Sequence, residues 1–163
     1  MDSAELVGRW TGTNGFRLMP GDELRELPAA VVVTAAAGGH LVLVAYDWQH
    51  PDDGPQDGLI VVGPVEDRGD GPDGGDGVPL TATWGDSWHQ KPAPMTLSGR
   101  QDADGGIVLE GRYAGDWGWR VLLDADPGGG LRLRMDNVVP ADQASGRLLA
   151  GPYPAMVLRA HRA

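Results

Sequence analysis

Residues 116–137 read DWGWRVLLDADPGGGLRLRMDN, and this stretch decides the fold. Trp117, Trp119, Val121 and Leu123 share one side of a two-residue period, and Asp116, Arg120 and Asp124 share the other. After Asp126-Pro127-Gly128-Gly129-Gly130 the alternation resumes, with Leu131, Leu133 and Met135 opposing Arg132, Arg134 and Asp136. A period of two with one apolar and one wet face is that of a half-buried strand. A short Pro-Gly connector turns such a strand back on itself. The stretch is therefore an antiparallel pair.

Working outward, the same reading gives ten short runs and no amphipathic helix. They are approximately 6–18, 28–37, 40–49, 58–63, 79–88, 94–101, 106–114, 116–125, 130–139 and 153–162. Gly38-Gly39, Asp102–Gly106 and Ala114-Gly115-Asp116 read as further turns. Short connections make a meander, and ten strands with one apolar face bury it and lose both edges by closing. The expected fold is all-β: a closed antiparallel up-and-down β-barrel of about ten strands with little helix, one domain over 1–163. A two-sheet sandwich is the competing arrangement. The 26 Gly and 13 Pro among 163 residues agree with short elements and many turns. Only Pro20–Leu27 has enough Glu and Leu for a helical turn, as a lid over one end. Residues 64–79 (PVEDRGDGPDGGDGVP) have almost no apolar content and read as a solvated, flexible insert loop. Asp67, Asp70, Asp73 and Asp76 recur there every third residue, without the EF-hand pattern.

A net charge of −10, with Lys91 the only Lys, repels nucleic acid and anionic membranes. The lack of Cys excludes disulfides, thiol nucleophiles and thiolate metal sites. The opening MDSAEL has no signal-peptide pattern, and no run approaches the ~18 apolar residues of a membrane span, so a soluble, cytoplasmic chain is expected. Its Arg-over-Lys, Ala/Gly/Asp/Pro-rich usage is that of a high-GC bacterial genome. No feature sets an oligomeric state.

Most motifs that resemble chemistry fail on context. Residues 69–74 match G-x-G-x-x-G, yet no helix follows and two carboxylates stand where a pyrophosphate would lie. Gly85-Asp86-Ser87 resembles the nucleophile block of Gly-Asp-Ser-Leu hydrolases, but continued alternation puts Asp86 on the face opposite Ser87 and His89. His40, His50, His89 and His161 form no ligand-spaced pair, so no metal site is expected. His50 and His89 fall at strand ends beside loops, where a solvated His is commonest, and His161 is expected to be exposed.

The meander sorts the remaining residues by end. Odd strands finish, and even strands begin, where Tyr46, Trp48, His50, Trp84, Trp88, His89, Tyr113, Trp117, Trp119 and Tyr153 fall, whereas Trp10 falls at the opposite end. Such an end resembles a pocket mouth, in which rings bury a ligand and sparse polar groups orient it. Tyr46, Trp48, Trp84, Asp86, Trp88, Tyr113, Trp117, Trp119, Met135 and Asn137 are the candidate binding residues. Asp86 and Asn137 continue apolar faces, so each is either satisfied by neighbours in a structural network or waiting for a ligand.

Gly8-Arg9-Trp10 resembles the Gly-x-Trp opening of the calycin superfamily, which includes lipocalins and fatty-acid-binding proteins. With the Gly38-Gly39 turn and Tyr46, Trp84-Gly85-Asp86-Ser87 and Arg134-Met135-Asp136-Asn137, the whole is similar to an uncharacterised bacterial family of ten-stranded lipocalin-like barrels. The resemblance implies a barrel with Trp10 plugging its base and a small, largely apolar molecule as partner. It leaves an alternative, a cyclase or isomerase of bacterial secondary metabolism, with Asp86 as general acid or base and its pKa raised by burial among Trp84, Trp88 and Trp117. Gly8–Gly12 is also similar to the opening of nitrobindins, which hold haem through a late His. This chain has no His between Leu131 and Ala160, so haem would require His50 or His89 to turn inward, and no other cofactor is expected.

Overall fold

The structure, a computed structural model that describes residues 3–65 and 77–163, is a closed barrel of ten antiparallel strands. In chain order they are β1 (Gly8–Phe16), β2 (Arg25–Ala36), β3 (Leu41–His50), β4 (Gly54–Pro64), β5 (Val78–Asp86), β6 (Met95–Gln101), β7 (Ile107–Arg112), β8 (Gly118–Ala125), β9 (Leu131–Val139) and β10 (Gly151–Arg162). Each pairs with its sequence neighbour, and β1 pairs with β10 from Trp10↔Arg162 to Phe16↔Met156, which closes the wall. Closure rather than a sandwich leaves no long edge unpaired. The core follows the alternation: Val31, Val44, Leu97, Leu109, Leu131, Leu133, Met135 and Leu158 point into the lumen and are buried.

Two local expectations are corrected. Pro20–Leu27 forms no helical turn. A tight turn closes there, with Asp22 N–H donating to the Met19 carbonyl (3.0 Å) and Met19 N–H to Asp22 Oδ2 (3.0 Å). Arg25 and Leu27 then join the ladder opposite Phe16 and Asn14, so pairing with β1 overrides local helix propensity. Conversely, Ser3–Leu6 forms a short helix, α1, before the first strand. Leu6 is fully buried and its carbonyl accepts Trp10 Nε1–H (2.9 Å), while the Arg162 guanidinium lies 4.6 Å from the centre of the Trp10 ring. These three residues seal the base. Asp67, Asp70, Asp73 and Asp76 lie outside the described residues. Among the described residues no helix is long and apolar enough to cross a membrane.

Candidate functional site

At the other end, register builds the site. Tyr46, Gly58 and Asp86 stand in one row across β3, β4 and β5. Gly58 has no side chain, so the Tyr46 ring lies across it: a Cβ there would come within 2.2 Å of both Cζ and Oη. Tyr46 Oη donates to Asp86 Oδ2 (2.6 Å) and accepts Trp84 Nε1–H (2.8 Å).

Beyond Asp86 the strand stops. Asp86 N–H donates to the Gln90 carbonyl (3.0 Å), and the chain folds back so that Trp88 N–H (2.7 Å) and His89 N–H (2.6 Å) both reach Asp86 Oδ1. His89 Nδ1 lies 3.2 Å from the same oxygen. The expectation that Asp86 and His89 occupy opposite faces is thereby corrected, because alternation ends at the residue whose carboxylate caps the turn. His89 is not solvated either: its side chain is 1 % exposed. Ser87 turns away, donating to Gln56 Oε1 (2.8 Å) and accepting Asp57 N–H (3.0 Å), so it forms no relay with His89.

The electrostatics follow from this cage. Burial alone pushes the Asp86 carboxyl up, but the hydrogen bonds it accepts from His89 and from the Tyr46 hydroxyl bring it below the ordinary carboxylate value. The expectation of a raised pKa is thus corrected, since four donors favour the ionised form. Tyr46 is pushed well above an ordinary tyrosine, first by burial and then by the Asp86 charge. Because Asp86 is an acceptor, the network assigns a proton to His89 Nδ1. His89 Nε2 is buried with no partner.

His50 is also buried, against expectation, because β3 alternation carries it inward with Val44, Tyr46 and Trp48. Its Nδ1 accepts the backbone N–H groups of Asp52 (3.2 Å) and Asp53 (2.9 Å). An accepting Nδ1 carries no proton, so its 3.3 Å approach to Asp53 Oδ2 is not an ion pair.

Above these groups the rings form one continuous cluster. Phe16 lies 5.3 Å from Trp48, 4.7 Å from His50 and 5.0 Å from Trp88. His89 lies 5.2 Å from Trp48, 5.0 Å from Trp88 and 5.4 Å from Trp119, whose ring meets Trp84 edge-on at 5.4 Å. Over the cluster opens a cavity of about 420 Å³, walled by Phe16, Trp88, His89, Tyr113, Trp117, Trp119, Asn137, Tyr153 and Ala155, with Arg17, Leu18 and Met19 at its rim. Tyr113 donates its hydroxyl to Asn137 Oδ1 (3.1 Å) and Tyr153 donates to the Leu18 carbonyl (2.9 Å), which fixes both rings. Arg17 donates to the carbonyls of Pro154 (2.7 Å) and Pro20 (2.9 Å).

The candidate residues fall into three levels. Trp88, Tyr113, Trp117, Trp119 and Asn137 line the cavity, whereas Tyr46, Trp48, Trp84 and Asp86 form the layer beneath. Met135 is fully buried and does not line the cavity. Sequence reasoning missed Phe16, His89, Tyr153 and Ala155 as lining residues. Phe16 ends an odd-numbered strand, so the same sorting by ends would have found it. Ala155 enters through a β-bulge, where the β9–β10 register shifts between Pro154 and Met156.

A second, larger groove of about 810 Å³ lies on the barrel's flank, lined by polar residues including Thr96, Ser98, Glu110, Arg112, Asp116 and Asp142, with Trp119 bordering both spaces. Among the described residues no three His, Cys, Asp or Glu side chains are grouped to hold a metal. No family model matches the chain and no curated protein matches it.

Proposed function

We propose that the barrel is a binding module that takes a small, largely apolar molecule into the cavity at its aromatic end, as calycin-like barrels do. The observation that carries this reading is the cavity itself. About 420 Å³ is bounded mainly by rings, within the size range of small-molecule sites. Burying about 200 Å² of apolar ligand surface there contributes about 5 kcal/mol before the cost of association. Asn137, anchored by Tyr113, and His89 are polar groups in the wall, whereas Asp86 and Tyr46 are occupied beneath it and orient His89 rather than the ligand. Naphthalene tests the reading by equilibrium dialysis. Single-site saturation is expected, and Ala155→Phe, which projects a ring into the cavity, is expected to weaken it at least tenfold. Non-saturable uptake by both proteins would end the proposal.

A second reading, an enzyme that holds an apolar substrate in the same cavity, is favoured by the Asp86–His89 pair. Asp86 has its lone pairs committed, so the proton-handling group facing substrate would be His89. A haem does not fit these residues. With Nδ1 accepting two backbone N–H groups, His50 keeps its proton on Nε2 and offers iron no lone pair there, and a macrocycle on His89 Nε2 would displace rings already 5.0–5.4 Å from the imidazole.

A further inference from the structure

Resting on the binding reading above, the geometry points to the chemical class of the ligand: we propose that the mouth cavity takes a flat apolar molecule carrying one neutral hydrogen-bond donor, such as a phenol, an enol or an azole N–H, and that His89 Nε2 receives it. His89 belongs to the cavity wall, but its side chain is 1 % exposed and its Nε2 lies just beneath the open surface. Its Nδ1 is committed to Asp86, which is itself held by Tyr46 and by the Trp88 and His89 amides. That arrangement orients the ring and fixes which nitrogen keeps the proton, leaving Nε2 as a lone-pair acceptor without a partner. A buried acceptor left unmade costs free energy, and a ligand donor that pairs with it recovers that cost. The surrounding rings explain the rest of the class. Trp48, Trp88 and Trp119 stand within 5.4 Å of the imidazole, so a donor reaches Nε2 only as a flat group that slips between these rings and shifts them, not as a hydrated head group. An anion is disfavoured at this depth because the ionised Asp86 lies directly behind His89.

The probes are 2-naphthol and naphthalene, which share a ring system and differ by one hydroxyl, measured by equilibrium dialysis against the full chain. The wild type is expected to prefer 2-naphthol by about tenfold after correction for the two probes' partition between water and alkane. In His89→Phe, which keeps a ring in the aromatic cluster and removes both nitrogens, that preference is expected to shrink to within about twofold while naphthalene still binds. Equal affinity of the wild type for both probes overturns the donor inference and leaves the cavity reading standing. Binding of neither probe overturns both. A preference that survives His89→Phe places the acceptor elsewhere and overturns the assignment. Should His89→Phe not fold, long-range ¹H–¹⁵N spectra of the wild type decide. The His89 Nε2 resonance, pyridine-like in the free protein, is expected to move with 2-naphthol and not with naphthalene, and an unmoved resonance overturns the proposal.

Discussion

At Gly58 one missing methyl group sets the geometry of the whole layer beneath the cavity. A Cβ would come within 2.2 Å of the Tyr46 ring, and the ring, whose hydroxyl is held by Trp84 and Asp86, cannot retreat without releasing Asp86 Oδ2. Gly58→Ala is expected to destabilise the protein by about 2–3 kcal/mol in urea unfolding, the range for overpacking combined with a lost buried hydrogen bond. Asp86→Asn tests the same layer electrostatically. One amide face cannot accept the Tyr46 hydroxyl as a carboxylate does, and about 2 kcal/mol is expected to be lost near pH 7. The native Asp86 carboxyl titrates below the ~3.9 of an unfolded aspartate, so folding releases protons across that interval. The stabilisation is therefore complete above about pH 5 and is lost as pH falls through the native value. The gap between wild type and Asp86→Asn is expected to narrow steadily in urea titrations from pH 5 to pH 2. A gap that stays constant would show that the charge carries none of it. Asp86 was legible in the sequence as a polar residue on the apolar face of Leu80, Ala82 and Trp84. His89 was not, because period-two reasoning fails at a turn capped by the strand's own last side chain. The role of Gly58 is visible only once three strands are in register.

Among the elements, all ten strands were legible as short apolar-bearing runs, most of them set off by turns rich in Gly, Asp or Pro and most clearly so in β8 and β9, where alternation is strict. The element that escaped is α1, since Ser3–Leu6 is too short to show a helical period. It matters because it plugs the base. Leu6 is fully buried and its carbonyl holds the Trp10 indole. Leu6→Ala is expected to cost about 2–4 kcal/mol by thermal or urea unfolding, the range for truncating a buried leucine. At temperatures where the variant stays folded, its affinity for naphthalene is expected to match the wild type, because Leu6 belongs to the base and the cavity opens at the other end. A parallel loss of binding would mean that the two ends are not independent. The insertion at Ala155 is the converse case. One extra residue in β10 shifts the register after Pro154 and brings a small side chain into the cavity wall, and no periodicity announces it.

As a whole the barrel is polarised: a sealed base, an aliphatic middle and an aromatic mouth, with one thin place in its wall. The β6–β7 ladder runs only from Ser98↔Glu110 to Gln101↔Ile107, so Met95–Leu97 and Gly111–Arg112 are not paired with each other. The polar flank groove opens beside this place, and Trp119 is the partition between it and the mouth. Backbone groups without ladder partners open at low free energy. Amides of Thr96, Leu97, Gly111 and Arg112 that point across the gap are therefore expected to exchange with solvent much faster than those of the β1–β10 seam. Hydrogen exchange then discriminates between the two spaces as ligand sites. Saturating naphthalene is expected to slow exchange around Trp88, His89, Tyr113 and Trp117 and to leave Thr96 and Ser98 unchanged. Protection confined to Thr96 and Ser98 would instead locate the ligand on the flank. It would remove the mouth from consideration, because an apolar probe that ignores a ring-lined cavity for a polar groove cannot be held by burial against those rings.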